Sequence, residues 1–124
     1  FQQKKDGTFE PIQQELFKQD EGSEDVNALF FDANGDGFAD LYVVSGGNEF
    51  EDKEKELLDR LYLNDGKGKF IKSKGLPPIY GNKSVAVADA FDRDGDQDLF
   101  VGGRAIAQNY GVVPTSYLLI NDGK

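Results

Sequence analysis

The sequence predicts an all-β fold: about two four-stranded antiparallel blades, a segment of a larger β-propeller. Three observations carry this. Asn64-Asp65-Gly66-Lys67 recurs 57 residues later as Asn121-Asp122-Gly123-Lys124, and "DGFADLYV" (36–43) recurs 58 residues later as "DGDQDLFV" (94–101). A period of this size marks an array of small units or a propeller. The apolar runs are short, rich in Val, Leu, Phe and Tyr, and broken by Gly and Asp, as strands and turns are. Each unit also places Asn-Asp-Gly after such a run, a strong hairpin signal.

The elements follow in order. Gly7-Thr8-Phe9 stands where Gly68-Lys69-Phe70 stands, so Phe1, Tyr62 and Leu119 are roughly equivalent. The repeat units are therefore drawn as 1–61 and 62–124, each entered inside a hairpin. Residues 9–12 and 70–71 read as return strands. Runs 26–31 and 85–88 read as opening strands, 41–44 and 99–101 as strands after acidic turns, and 61–63 and 117–120 as strands before Asn-Asp-Gly. Helix is expected only in 52–60, "DKEKELLDR", as a solvated turn in a charged surface loop. A lone four-stranded sheet cannot bury both faces, so such units need stacked neighbours. Propellers close with about four to eight blades. Two blades are thus expected to continue into further blades, or to close by self-association or on a partner. The chain opens in mid-pattern and stops at "NDGK", where a further strand is expected.

Composition narrows the chemistry. The chain has 124 residues, a net charge of −9, 15 Gly, and no Cys, His or Met. Strong negative charge disfavours nucleic acid and anionic membrane as partners and favours cations. Without His or Cys, the common zinc and copper ligands and the Ser-His and Cys-His nucleophile pairs are missing. No apolar run reaches the roughly 18 residues of a membrane span. No signal peptide is visible at Phe1.

The acidic turns hold the sharpest signal. In "FFDANGDGFADLYVV" (30–44), side-chain oxygens fall at loop positions 1, 3, 5 and 9: Asp32, Asn34, Asp36 and Asp40. Gly35 and Gly37 let the backbone curl, and the Phe38 carbonyl at position 7 can turn inward. A hard cation of calcium's size takes about six to eight such oxygens. The spacing shares its first half with an EF-hand loop, but position 12 is Val43 and the flanks are strands. The competing reading is an ordinary acidic hairpin turn. In the second copy, "VADAFDRDGDQDLFVGG", alignment on the Gly and the last acid puts Asp92, Asp94, Asp96 and Asp98 at positions 3, 5, 7 and 9. Ala90 then stands at position 1, and Asp89 would take that role through a bulge. A rival register starts a shorter loop at Asp92. About two Ca2+ ions are expected, one per loop.

These stretches, with "DRLYLNDGKGKF" and "SYLLINDGK", resemble the FG-GAP/VCBS repeats of integrin-alpha-like β-propellers. They look closest to bacterial surface VCBS proteins related to the cartilage acidic protein group. The resemblance covers nearly all of the chain apart from 18–25 and 50–56. It implies one calcium loop per blade. By position the ligands would be Asp32, Asn34, Asp36, Asp40 and the Phe38 carbonyl, then Asp92, Asp94, Asp98 and the Asp96 carbonyl, with Asp89 as the remaining candidate. It also implies an extracellular or outer-surface location and a role in adhesion, ligand recognition or scaffolding.

Three functions are weighed on that basis. The first is a non-catalytic binding, adhesion or scaffold module with structural calcium, facing a protein or carbohydrate ligand. The second is part of a secreted propeller enzyme acting on polysaccharide, with Tyr80, Arg104 and Tyr110 as sugar-site candidates. The third is a subunit of a larger surface assembly whose acidic runs, 20–25 and 49–56, contact basic partners.

Overall fold

The computed structural model describes residues 1–12, 14–50 and 54–123. Glu51, Asp52 and Lys53, which belong to the expected helix and acidic run, lie outside the described residues, as does Lys124. The chain opens with a two-stranded hairpin, β1 (Gln2–Gln3) and β2 (Phe9–Glu10). After a short helix α1 (Glu15–Gln19) come β3 (Asp25–Phe31), β4 (Asp40–Ser45), β5 (Arg60–Asn64) and β6 (Phe70–Lys72). These four form one antiparallel sheet in chain order. β7 (Asn82–Asp89), β8 (Asp98–Ala105) and β9 (Tyr117–Leu119) form a second, three-stranded sheet. The architecture is thus nearly all-β and antiparallel, as expected of propeller blades.

The repeat is visible in the hydrogen-bond register. Ala28 pairs with Val43 and Phe31 with Asp40 in the first sheet, while Ala86 pairs with Val101 and Asp89 with Asp98 in the second. Each pair lies 58 residues from its counterpart. The N-terminal hairpin repeats the β5–β6 turn in the same way: Lys4 N–H donates to the Thr8 carbonyl at 2.7 Å, and Asp65 N–H donates to the Lys69 carbonyl at 3.0 Å. Gly7 and Gly68 close these turns at φ +85° and +86°, a region open to glycine without penalty. The first sheet runs across the sequence boundary drawn at 61/62.

Packing explains why the strands lack simple apolar–polar alternation. The core between the sheets holds Phe31, Tyr42 and Val44 from the first sheet and Ala86, Leu99 and Val101 from the second. By register, Tyr42 and Val44 are equivalent to Phe100 and Gly102, on the opposite face of β8. The two sheets therefore meet through opposite faces of the same repeat, as successive units of a stack do. Each face needs apolar residues, and the outer ones stay exposed: Phe30 at 62% on β3, and Val87, Phe100 and Leu118 as a cross-strand row on the second sheet.

Two expectations are corrected. Helix forms at Glu15–Gln19, outside the only stretch where it was expected, and the described part of 52–60 holds just a 3₁₀ turn, Lys55–Leu57. A five-residue helix carries no periodic signal and gains its stability from tertiary contact: the Phe17 ring lies 5.1 Å from Tyr62 and 5.8 Å from Phe70. Nor is the loop solvated throughout. Leu57, Asp59 and Arg60 are buried. Lys83 Nζ, also buried, donates to the carbonyls of Leu57 at 2.5 Å and Ile79 at 3.0 Å and lies 3.2 Å from the Asp59 carboxylate. Asp59 accepts from Tyr42 Oη at 2.7 Å and from Ser45 N–H at 2.8 Å. Desolvation raises the Asp59 pKa and lowers that of Lys83, each against the attraction of its partner. A buried pair left with one member would be strongly destabilising, so this network pins one end of the seam between the sheets. Asp25 pairs with Arg60, and Asp20 accepts from Tyr62 Oη at 2.7 Å and Lys72 Nζ at 2.6 Å. Acids 20 and 25 of the first acidic run are thereby engaged within the chain.

Candidate functional site

The acidic loops cap the opposite end of the seam. Each joins the first two strands of its sheet, β3 to β4 and β7 to β8. The first is wound around Asp32. Its Oδ1 accepts from Gly35 N–H at 2.9 Å and Asp36 N–H at 3.1 Å, and its Oδ2 from Gly37 N–H at 2.8 Å. Such convergence of amides on one carboxylate requires the tight curl that Gly35 and Gly37 supply at φ +72° and +84°. Asn34 Oδ1 accepts from Asp36 N–H at 3.1 Å, and Asn34 Nδ2 donates to Asp36 Oδ2 at 2.9 Å. Asp36 Oδ1 accepts from Phe38 N–H at 2.9 Å. The Phe38 ring is half-exposed and lies over Gly66, where any Cβ would collide with it.

The second loop has the same backbone and a different centre. Arg93 and Gly95 take the places of Gly35 and Gly37, at φ +68° and +107°. Ala90 occupies the position of Asp32, so no carboxylate stands where Asp32 draws three amides together in the first loop. Asp92 Oδ1 accepts from Asp94 N–H at 3.1 Å, and Asp94 Oδ1 from Asp96 N–H at 3.0 Å. Asp89 is the last residue of β7, opposite Asp98, and no register shift lies beside it. Its side chain accepts only from Ala90 N–H, at 2.9 Å, among the bonds described. Asp92 carries the electrostatic signature of crowded acids. The Asp94 N–H favours its ionised form, but desolvation and the carboxylates of Asp94 and Asp98 prevail and raise its pKa.

Asp40 and Asp98, the acids at position 9, are fully buried and do the same work in both repeats. Asp40 accepts from Ala33 N–H at 2.9 Å and from Asn64 N–H at 2.7 Å. Asp98 accepts from Phe91 N–H at 2.8 Å, Asp92 N–H at 3.3 Å and Asn121 N–H at 2.8 Å. Each carboxylate buckles its loop to the third strand or the turn that follows it. The Asn side chains complete the buckle: Asn64 Nδ2 donates to the Ala39 carbonyl at 3.0 Å and Asn121 Nδ2 to the equivalent Gln97 carbonyl at 3.3 Å. From sequence, Asn64 and Asn121 read as turn residues only. Their near-constant offset from the position-9 acid was the signal that could have marked them.

Among the described residues, no group of three or more acidic side chains is arranged to hold a metal ion. The donor chemistry nonetheless suits a hard cation: the candidate side chains and carbonyls are all oxygen, with no soft or nitrogen ligand among them. Tyr80, Arg104 and Tyr110 lie away from these loops in sequence, and none of them makes a described side-chain hydrogen bond. Tyr80 borders a cleft of about 250 Å³ with Asn82, Lys83 and Tyr117, while Tyr110 is fully exposed.

Stacked antiparallel sheets, each with an acidic loop between its first two strands, define a propeller-type repeat protein. The FG-GAP-like repeat matches residues 32–101, more than half of the chain, from the first acid of the first loop to the strand beyond the second. The chain belongs to this family. No curated protein and no solved structure gives a match.

Proposed function

We propose that this chain is a calcium-stabilised segment of a β-propeller, working as an extracellular or cell-surface binding, adhesion or scaffold module and not as a catalyst. The observation that supports it most is the recurrence of one loop backbone, lined by oxygen donors, at the same place on successive sheets. Asp32, Asn34, Asp36, Asp40 and the Phe38 carbonyl would hold the first ion. Asp92, Asp94, Asp98 and the Asp96 carbonyl would hold the second, with Asp89 the remaining candidate. A bound ion would neutralise carboxylates that otherwise repel one another and would hold the loop as a rigid rim. Millimolar calcium outside cells suits sites of this kind. The apolar outer face of the second sheet supports further blades, of this or a partner chain, as neighbours. The ligand would be a protein or carbohydrate. The closer relationship, to VCBS proteins of the cartilage acidic protein group, is part of the same proposal. Calorimetric titration with calcium tests the metal directly. Saturable binding that is lost in Asp36→Ala supports it, and no heat beyond dilution at millimolar calcium would refute it.

A further inference from the structure

The two acidic loops are not independent. Asp32 N–H, at the start of the first loop, donates to Gln97 Oε1 of the second at 3.1 Å. Asn121 Nδ2 reaches back across the seam and donates to the Ala33 carbonyl at 3.0 Å. The Asp32–Ala33 segment is therefore held on three sides: by Gln97, by Asn121, and by Asp40, which accepts from Ala33 N–H. Asp32 is the residue around whose carboxylate the loop amides converge. Asn121 is itself fixed, since its own N–H donates to the buried Asp98. A continuous chain of hydrogen bonds thus runs from Asn64 through Asp40, Ala33 and Asn121 to Asp98. It crosses from one repeat to the next at Asn121.

We propose that the second repeat shapes the first acidic loop, with Gln97 and Asn121 as positioning residues that fix the Asp32–Ala33 backbone and through it the loop's central carboxylate. Neither residue is a candidate ligand at that loop. Their effect is preorganisation: a loop already held in shape loses less conformational freedom when it takes a ligand. The side-chain amide of Asn64, the counterpart of Asn121, donates only to the Ala39 carbonyl of its own sheet among the bonds described, so the strap belongs to the junction between repeats and not to the repeat itself. The effect on a bound cation rests on the calcium reading above. The shaping of the loop does not.

Amide hydrogen exchange on the full chain in chelator tests the strap without metal. Asn121→Ala keeps the backbone bond to Asp98 and deletes only the side chain. Exchange at Gly35, Asp36 and Gly37 should quicken by roughly tenfold, the scale of a local opening eased by one lost bond, while amides of β4 and β8 keep their protection. Gln97→Ala, at an exposed position, should do the same and guards against a global effect of the first variant. Asn109→Ala, whose side chain bonds only within its own turn among the bonds described, is the control. Unchanged loop exchange in both strap variants would overturn the proposal, as would quickening confined to the core. In a second arm, calcium is titrated into the same proteins. Weaker binding with every donor intact extends the proposal to the metal. Absence of binding by the unaltered chain overturns the calcium reading alone, and the exchange result still decides the strap.

Discussion

The two loops share a backbone and differ at one residue that matters. In the first, Asp32 draws three amides together. In the second, Ala90 stands in its place, and the loop hangs on Asp98, which accepts from three amides instead of two. The first loop is wound around a partly exposed centre, and the second is anchored from its buried end. A shared spacing thus fixes the path of the chain but leaves open which carboxylate organises it.

That contrast can be broken most severely at the anchors. Asp98→Ala removes an acceptor from three partly buried amides, of which only Phe91 N–H keeps another in the Asp89 carbonyl, and should lower stability by about 3–5 kcal/mol; Asp40→Ala, which removes an acceptor from two, should cost about 2–4 kcal/mol. Urea melts in chelator measure both, and an order reversed, or both losses below about 1 kcal/mol, would mean that the buckles matter little. The centres come next. Asp32→Ala should cost about 1–2 kcal/mol. Ala90→Asp, tested by whether loop amides at Arg93, Asp94 and Gly95 gain protection, should give the second loop the centre it lacks. The positive-φ position is a smaller contrast. Gly35→Ala should destabilise by about 1 kcal/mol, because an L side chain is strained there, while Arg93→Gly should gain about 0.5 kcal/mol once the glycine's own entropy is set against relief of that strain. Opposite signs in the two melts are the expected outcome.

The smallest effect lies outside both loops and sets a baseline for acid titration. Desolvation raises the Asp20 pKa, but hydrogen bonds from Lys72 and Tyr62 and the nearby Arg60 charge outweigh it, so the folded value lies below the ordinary one. The unfolded chain therefore binds the proton more readily. Stability from Asp20 is full above about pH 4, the unfolded carboxylate value, and falls away as pH drops through the folded value. Asp20→Asn should flatten this part of the acid limb in a pH series of melts. An unchanged slope would place acid sensitivity elsewhere.

Much of the fold was legible because it is written locally. The 58-residue echo and the strands reappear as register pairs, and the first Asn-Asp-Gly turn reappears as the β5–β6 hairpin. The acidic loops were legible for the same reason, down to the alignment that sets Asp98 against Asp40. What was missed lies between segments distant in sequence. Asp59 and Arg60 read as loop charges because their partners, Lys83 on β7 and Asp25 on β3, come from other strands. Asn121 read as a turn residue because its second bond crosses to Ala33, 88 residues away. Helix α1 was invisible because Phe17 docks on Tyr62 and Phe70, and nothing in five residues announces that.

The most direct test of the whole account is a thermal melt with excess calcium and with chelator, on the unaltered chain and on Asp36→Ala. Occupancy at about 100 times the dissociation constant adds about 2.7 kcal/mol per site when only the folded state binds. The account predicts a cooperative melt in both buffers, raised by several degrees in calcium, with that rise reduced in Asp36→Ala. A cooperative melt that ignores calcium would contradict the metal assignment and leave these loops as acidic turns held by their own hydrogen bonds.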